Sequence, residues 1–130
     1  KTLGVDPAVV VKSRPSPACA ALVGYMYYVA GVENPLAILG DSYVVEGLSQ
    51  LFASQVAATM KDRLGVRDDA VKYLDRHGKA DQAHMEDLRD LINAHVQREA
   101  DLADLIHCAR VEFELYGWII QEVQAGTAEA

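Results

Sequence analysis

Residues 68–95 read Asp68-Asp69-Ala70-Val71-Lys72-Tyr73-Leu74-Asp75-Arg76-His77-Gly78-Lys79-Ala80-Asp81-Gln82-Ala83-His84-Met85-Glu86-Asp87-Leu88-Arg89-Asp90-Leu91-Ile92-Asn93-Ala94-His95. The two opening acids suit a helix N-terminus, where unpaired backbone N–H groups leave partial positive charge. Leu74, Leu88 and Leu91 carry an apolar face through to a C-terminus near Asn93 or His95. Gly78 costs about 1 kcal/mol relative to Ala inside a helix, so a packing reason for it is expected. His77, Asp81 and His84 follow one another at separations of four and three, which puts all three side chains on one side of the helix. At 1.5 Å rise per residue, Asp81 lies about 6 Å along the axis from His77 and about 4.5 Å from His84, within reach of one metal ion or a close pair.

The flanking sequence extends the helical pattern in both directions. Ser16-Pro17 sets a cap and a first-turn proline, predicting a helix from Pro17 to about Ala30. Asn34-Pro35 repeats that chemistry. The helix it starts runs to about Leu64, with Leu39, Tyr43, Glu46, Ala53, Ala57 and Met60 along one side and Lys61, Arg63 and Gly65 at its end. A last helix is expected from about Glu99 to Val123, with Leu102, Leu105, Ala109, Phe113, Tyr116, Ile120 and Val123 as its apolar stripe and a frayed tail from Gln124. Residues 1–15, interrupted by Gly4, Asp6-Pro7 and Arg14-Pro15, are assigned no regular structure. No strand-like alternation or internal repeat competes, so the fold class is all-α, with about four helices in a single domain over 1–130.

Glu46 supplies a fourth polar group. An ionised carboxylate on a helical face shared with Leu39, Tyr43, Ala53 and Ala57 is unfavourable unless it is paired or bound to a cation. A lone His or Glu on such a face is more often a hydrogen-bonded core residue than a ligand. The His77/Asp81/His84 spacing and a separate carboxylate on an apolar helix together favour a metal site over a solvated face. Carboxylate and imidazole donors suit iron or manganese. Tyr43, about one turn before Glu46, is placed to donate to that carboxylate. Tyr25, Tyr27 and Tyr28 read as core aromatics, His107 as part of an exposed charge array with Asp104, Arg110 and Glu114, and His95 as a helix-end residue.

Composition narrows the function classes. A net charge of −7 with no cluster of Lys and Arg argues against nucleic acid as a partner. The apolar run from Pro17 to Val32 is short for a membrane span and holds three tyrosines, so no membrane association is expected. Cys19 and Cys108 are far apart and form no Cys-x-x-Cys pair, which fits a reducing cytoplasm. No secretory leader pattern is seen, and the absence of an initiating Met suggests that an upstream part is missing.

The His-x3-Asp-x2-His motif of His77, Asp81 and His84, with Glu46 placed 31 residues before its first His, resembles the metal-binding half of the heme-oxygenase-like diiron oxidases. Asn34-Pro35-Leu36-Ala37-Ile38-Leu39-Gly40 leading into Tyr43-Val44-Val45-Glu46-Gly47, and Ala109-Arg110 through Tyr116-Gly117, are similar to the iron-containing redox enzyme branch. The resemblance covers nearly the whole chain. It implies a heme-oxygenase-like helical bundle in which Glu46, His77, Asp81 and His84 ligate iron, two Fe(II) in a complete site or manganese instead. It also implies an oxidase or oxygenase with dioxygen and a small organic molecule as substrates. Family members take a further glutamate and histidine from an upstream helix. Residues 1–45 hold only Glu33 and no histidine, so those ligands are expected before Lys1 and the chain reads as the C-terminal portion of a larger domain. Two other classes compete: a metal-free enzyme of the same superfamily, thiaminase-like or quinone-cofactor-forming, and a non-catalytic module that pairs as a homodimer.

Overall fold

The structure, a computed structural model, describes the backbone of residues 4–128 and the side chains through residue 126. It is all-helical: α1 (Pro7–Lys12), α2 (Pro17–Gly31), a single 3-10 turn (Pro35–Ile38), α3 (Leu39–Leu64), α4 (Asp68–His95) and α5 (Glu99–Ala128). None of these helices is long and apolar enough to cross a membrane.

The helix starts follow from capping chemistry. Ser16 accepts the N–H of Cys19 ahead of Pro17, and Asn34 accepts the N–H of Leu36 ahead of Pro35. Asp6 does the same for Ala8 ahead of Pro7, so the opening segment, expected to lack regular structure, forms the short helix α1. Asp6-Pro7 is the same cap-plus-proline signal read correctly at Ser16 and Asn34, and the neighbouring valines masked it. Val9, Val10 and Val11 of α1 are all exposed. At the other end of the chain, α5 continues five residues beyond the expected Val123, through Gly126.

The chain divides into two compact units, one formed by residues up to 14 with 45–87, the other by 15–44 with those from 88 onward. In the second unit, α2, the 3-10 turn and α5 pack around Val29, Ala37 and Cys108, with Tyr25, Met26 and Ile38 against them. Burying a side chain such as Val29 contributes roughly 1.5–3 kcal/mol. Gly40, at the start of α3, lies on the α5 backbone: any side chain there would meet the Leu105 carbonyl and the Ala109 N–H. Polar ties close the unit. Glu122 accepts the Ala18 N–H at the start of α2 (3.0 Å), and Asn34 donates to Asp101 (2.8 Å) and Asp104 (3.1 Å) on α5.

The buried face of α5 is not the expected stripe. Asp101, Leu105, Cys108, Glu112 and Leu115 point inward, while Leu102, Phe113, Tyr116, Ile120 and Val123 are exposed. Both sets repeat at three- and four-residue intervals, so periodicity alone admits either, and the larger side chains favoured the wrong one. Tyr27 and Tyr28, expected in the core, are exposed, whereas Tyr25 is partly buried.

In the first unit, α3 and α4 lie antiparallel. Lys61 bonds Asp68 across the connecting turn, Ser54 faces Gly78, and Gly47 faces Met85. Gly65, at φ +62°, makes the turn possible, because the left-handed region is strained for residues with a Cβ. The inward seam of α4 here is Val71, Leu74, Gly78, Asp81 and Met85. Gly78 has the packing role anticipated for it: a methyl group there would come within 2.6 Å of Ser54 Oγ and 3.0 Å of Ser54 N.

Candidate metal centre

The antiparallel alignment of α3 and α4 sets Glu46 opposite the turn of α4 that carries Asp81 and His84. Asp81 occupies a seam position among apolar neighbours and is only 3% exposed. An ionised carboxylate in such a place needs a partner, and His84 is one: its Nδ1 lies 3.0 Å from Asp81 Oδ1. The carboxylate accepts, so Nδ1 carries the proton in that contact. The same Nδ1 lies 3.9 Å from Glu46 Oε2. One ligand atom from each of Glu46, Asp81 and His84 falls within 4.8 Å of the other two. The half-buried Glu46 and the exposed His84 leave the cluster open to solvent on one side.

Two carboxylates and one imidazole, with no thiolate, form a donor set suited to iron or manganese. A cation between the three atoms would take the place of the Nδ1 proton and offset the charge of the buried Asp81. The residues present therefore fit an iron ion.

His77, the fourth residue expected here, lies one turn before Asp81 and outside this three-residue cluster. Its Nδ1 lies 3.0 Å from the Tyr73 carbonyl, and its ring stacks on that of Tyr73 with centroids 4.0 Å apart. A carbonyl only accepts, so Nδ1 carries the proton and Nε2 is left with a free lone pair in the neutral ring. That second hydrogen bond is the usual way a protein fixes a ligating imidazole. Tyr73 itself escaped the sequence reading; a ring four residues before a histidine on one helix was the available signal. Tyr43, expected to donate to Glu46, is 44% exposed. His95 ends α4 and His107 lies on the exposed side of α5, as their surroundings in the sequence suggested.

Comparison with known families decides the assignment. A family model described as iron-containing redox enzyme matches residues 1–117. The chain belongs to the iron-containing redox enzyme family. No curated protein and no solved structure matches it. In this iron-containing redox enzyme the carboxylate/histidine cluster of α3 and α4 is the natural candidate for the metal, because it combines a buried acid with neighbouring imidazole and carboxylate donors.

Proposed function

We propose that the chain carries the iron-binding half of a non-heme iron oxidase or oxygenase that uses dioxygen to oxidise a small organic molecule. The observation that supports this reading most directly is the convergence of Glu46, Asp81 and His84 from two helices, within 4.8 Å, around a carboxylate buried in an apolar seam.

Ferrous iron bound there supplies the one-electron chemistry by which dioxygen can be reduced. The protein residues hold and orient. Asp81, fixed by its place in the α4 seam, positions the His84 ring. Glu46, less buried, would hold the ion from the solvent-facing side. His77 offers Nε2 from one turn away, with its ring held by the Tyr73 carbonyl and by stacking. A second iron would require donors beyond these four.

The test is anaerobic loading of the complete protein with Fe(II), followed by metal analysis and oxygen uptake on exposure to air. Glu46→Ala and His84→Ala are expected to lower iron content and oxygen uptake together. Unchanged iron stoichiometry in both variants would remove these residues from the site, and failure of the wild-type protein to retain iron would favour the metal-free reading.

A further inference from the structure

In the second unit, a fully buried acid and a partly buried one lie together with no counter-charge among the described residues. Glu112, on α5, is fully buried, and neither of its carboxylate oxygens has a hydrogen-bond donor among the described groups. Its neighbour across the contact is Asp41, in the first turn of α3, close enough for the two side chains to share a hydrogen bond. Two ionised carboxylates cannot make that bond, since both only accept. Gly40 fixes the approach, because its contact with the α5 backbone at Leu105 and Ala109 leaves the start of α3 little room to withdraw.

Among the described residues, no cationic side chain is seen to act on either acid. Of the elements packed on α5, α2 and the 3-10 turn contain no charged residue, and the start of α3 brings Asp41. On α2, Tyr25 pairs with Cys108, which lies one turn before Glu112 on α5 and is influenced by the charge of that acid. Tyr25 and Cys108 are both neutral at physiological pH, and from α3 the acid that acts on Glu112 is Asp41.

We propose that Asp41 and Glu112 hold one proton between them, and that its loss loosens the start of α3 from α5, making this contact a pH-sensitive latch. The proton belongs to the pair rather than to either acid alone. Burial and the negative charge of Asp41 push the Glu112 carboxyl up to about 7, while Asp41 is raised by burial and held back by the hydrogen bond from Glu112. The sign follows from linkage. A carboxyl whose folded value exceeds its unfolded one contributes stability that is fully present below the ordinary carboxylate range and is lost as pH rises through about 7.

The test compares the thermal midpoint of the wild-type chain with that of Glu112→Gln from pH 5 to pH 8.5. The amide keeps the shape and donates to Asp41 at every pH. Its advantage over wild type is therefore expected to grow by on the order of 5 °C across that range. A pH-independent difference would overturn the proposal. Carbon-13 NMR of the Glu112 carboxyl in the wild-type protein provides a check that needs no variant: a midpoint near 7 supports the shared proton. Titration in the ordinary carboxylate range overturns it. Calcium added at pH 8 addresses the rival occupant. Stabilisation of wild type that disappears in Glu112→Gln would mean that a cation, not a proton, joins the pair.

Discussion

The backbone of Gly78 lies so close to Ser54 that a methyl group at position 78 would stand 2.6 Å from the Ser54 Oγ. This contact sets the spacing of α3 and α4, and Glu46 and His84 sit on the same two helices farther toward the start of α3. Gly78→Ala is expected to destabilise the protein by about 1–3 kcal/mol despite Ala's better helix propensity, because the added carbon forces the helices apart. Gly24→Ala is the control: nothing lies within 4 Å of an added carbon there, so a gain of up to ~1 kcal/mol is expected. Urea unfolding of both variants measures the contrast, and equal effects would deny Gly78 its packing role.

Asp81→Asn separates fold from chemistry. The amide oxygen can still accept from His84 Nδ1 in the same buried seam, so the thermal midpoint should change little. The missing charge should weaken Fe(II) binding by at least about tenfold. Titration calorimetry under anaerobic conditions reads this directly. Unaltered affinity would place the iron elsewhere.

Asn34 caps the 3-10 turn through Oδ1 and ties it to α5 through Nδ2, which donates to Asp101 and Asp104. Asn34→Asp keeps the cap but sets a third carboxylate against two others. Its thermal midpoint should recover relative to wild type as pH falls through the carboxylate range, whereas that of Asn34→Ala, lower by the loss of about 1–3 kcal/mol, should show no such recovery. Parallel pH profiles for the two variants would contradict this account.

Arg98 holds Asp101 in a two-point ion pair, with Nε 2.8 Å from Oδ2. The guanidinium, helped by Asn34, draws the Asp101 carboxyl down to about 2. A depressed carboxyl contributes stability that is present above its unfolded value of 3.8 and is lost as pH falls through about 2. Arg98→Gln should therefore lose less stability than wild type between pH 4 and pH 2, as followed by circular dichroism at fixed denaturant. An identical acid profile would show that the pair has no such linkage.

The features legible in the sequence were those whose physics is local. Ser16-Pro17, Asn34-Pro35 and Asp68-Asp69 each announce a helix start by their own side chains, and helices begin at or just after all three. The four-and-three spacing of His77, Asp81 and His84 guarantees a common side on any α-helix. What failed required knowledge of a neighbour. α5 carries two repeating faces, and the buried one contains Asp101 and Glu112, residues that no hydrophobicity argument would send inward. The inward choice becomes intelligible only with Asn34, Arg98 and Asp41 beside them. Likewise, nothing in the motif itself distinguishes His77, held by Tyr73, from His84, held by Asp81.

The most direct measurement is the anomalous scattering of iron in crystals of the complete protein grown anaerobically with Fe(II). The expected peak is bonded to a carboxylate oxygen of Glu46, a carboxylate oxygen of Asp81 and a ring nitrogen of His84. A peak bonded to none of these, or its absence from crystals in which α3 and α4 keep their antiparallel pairing, would contradict it.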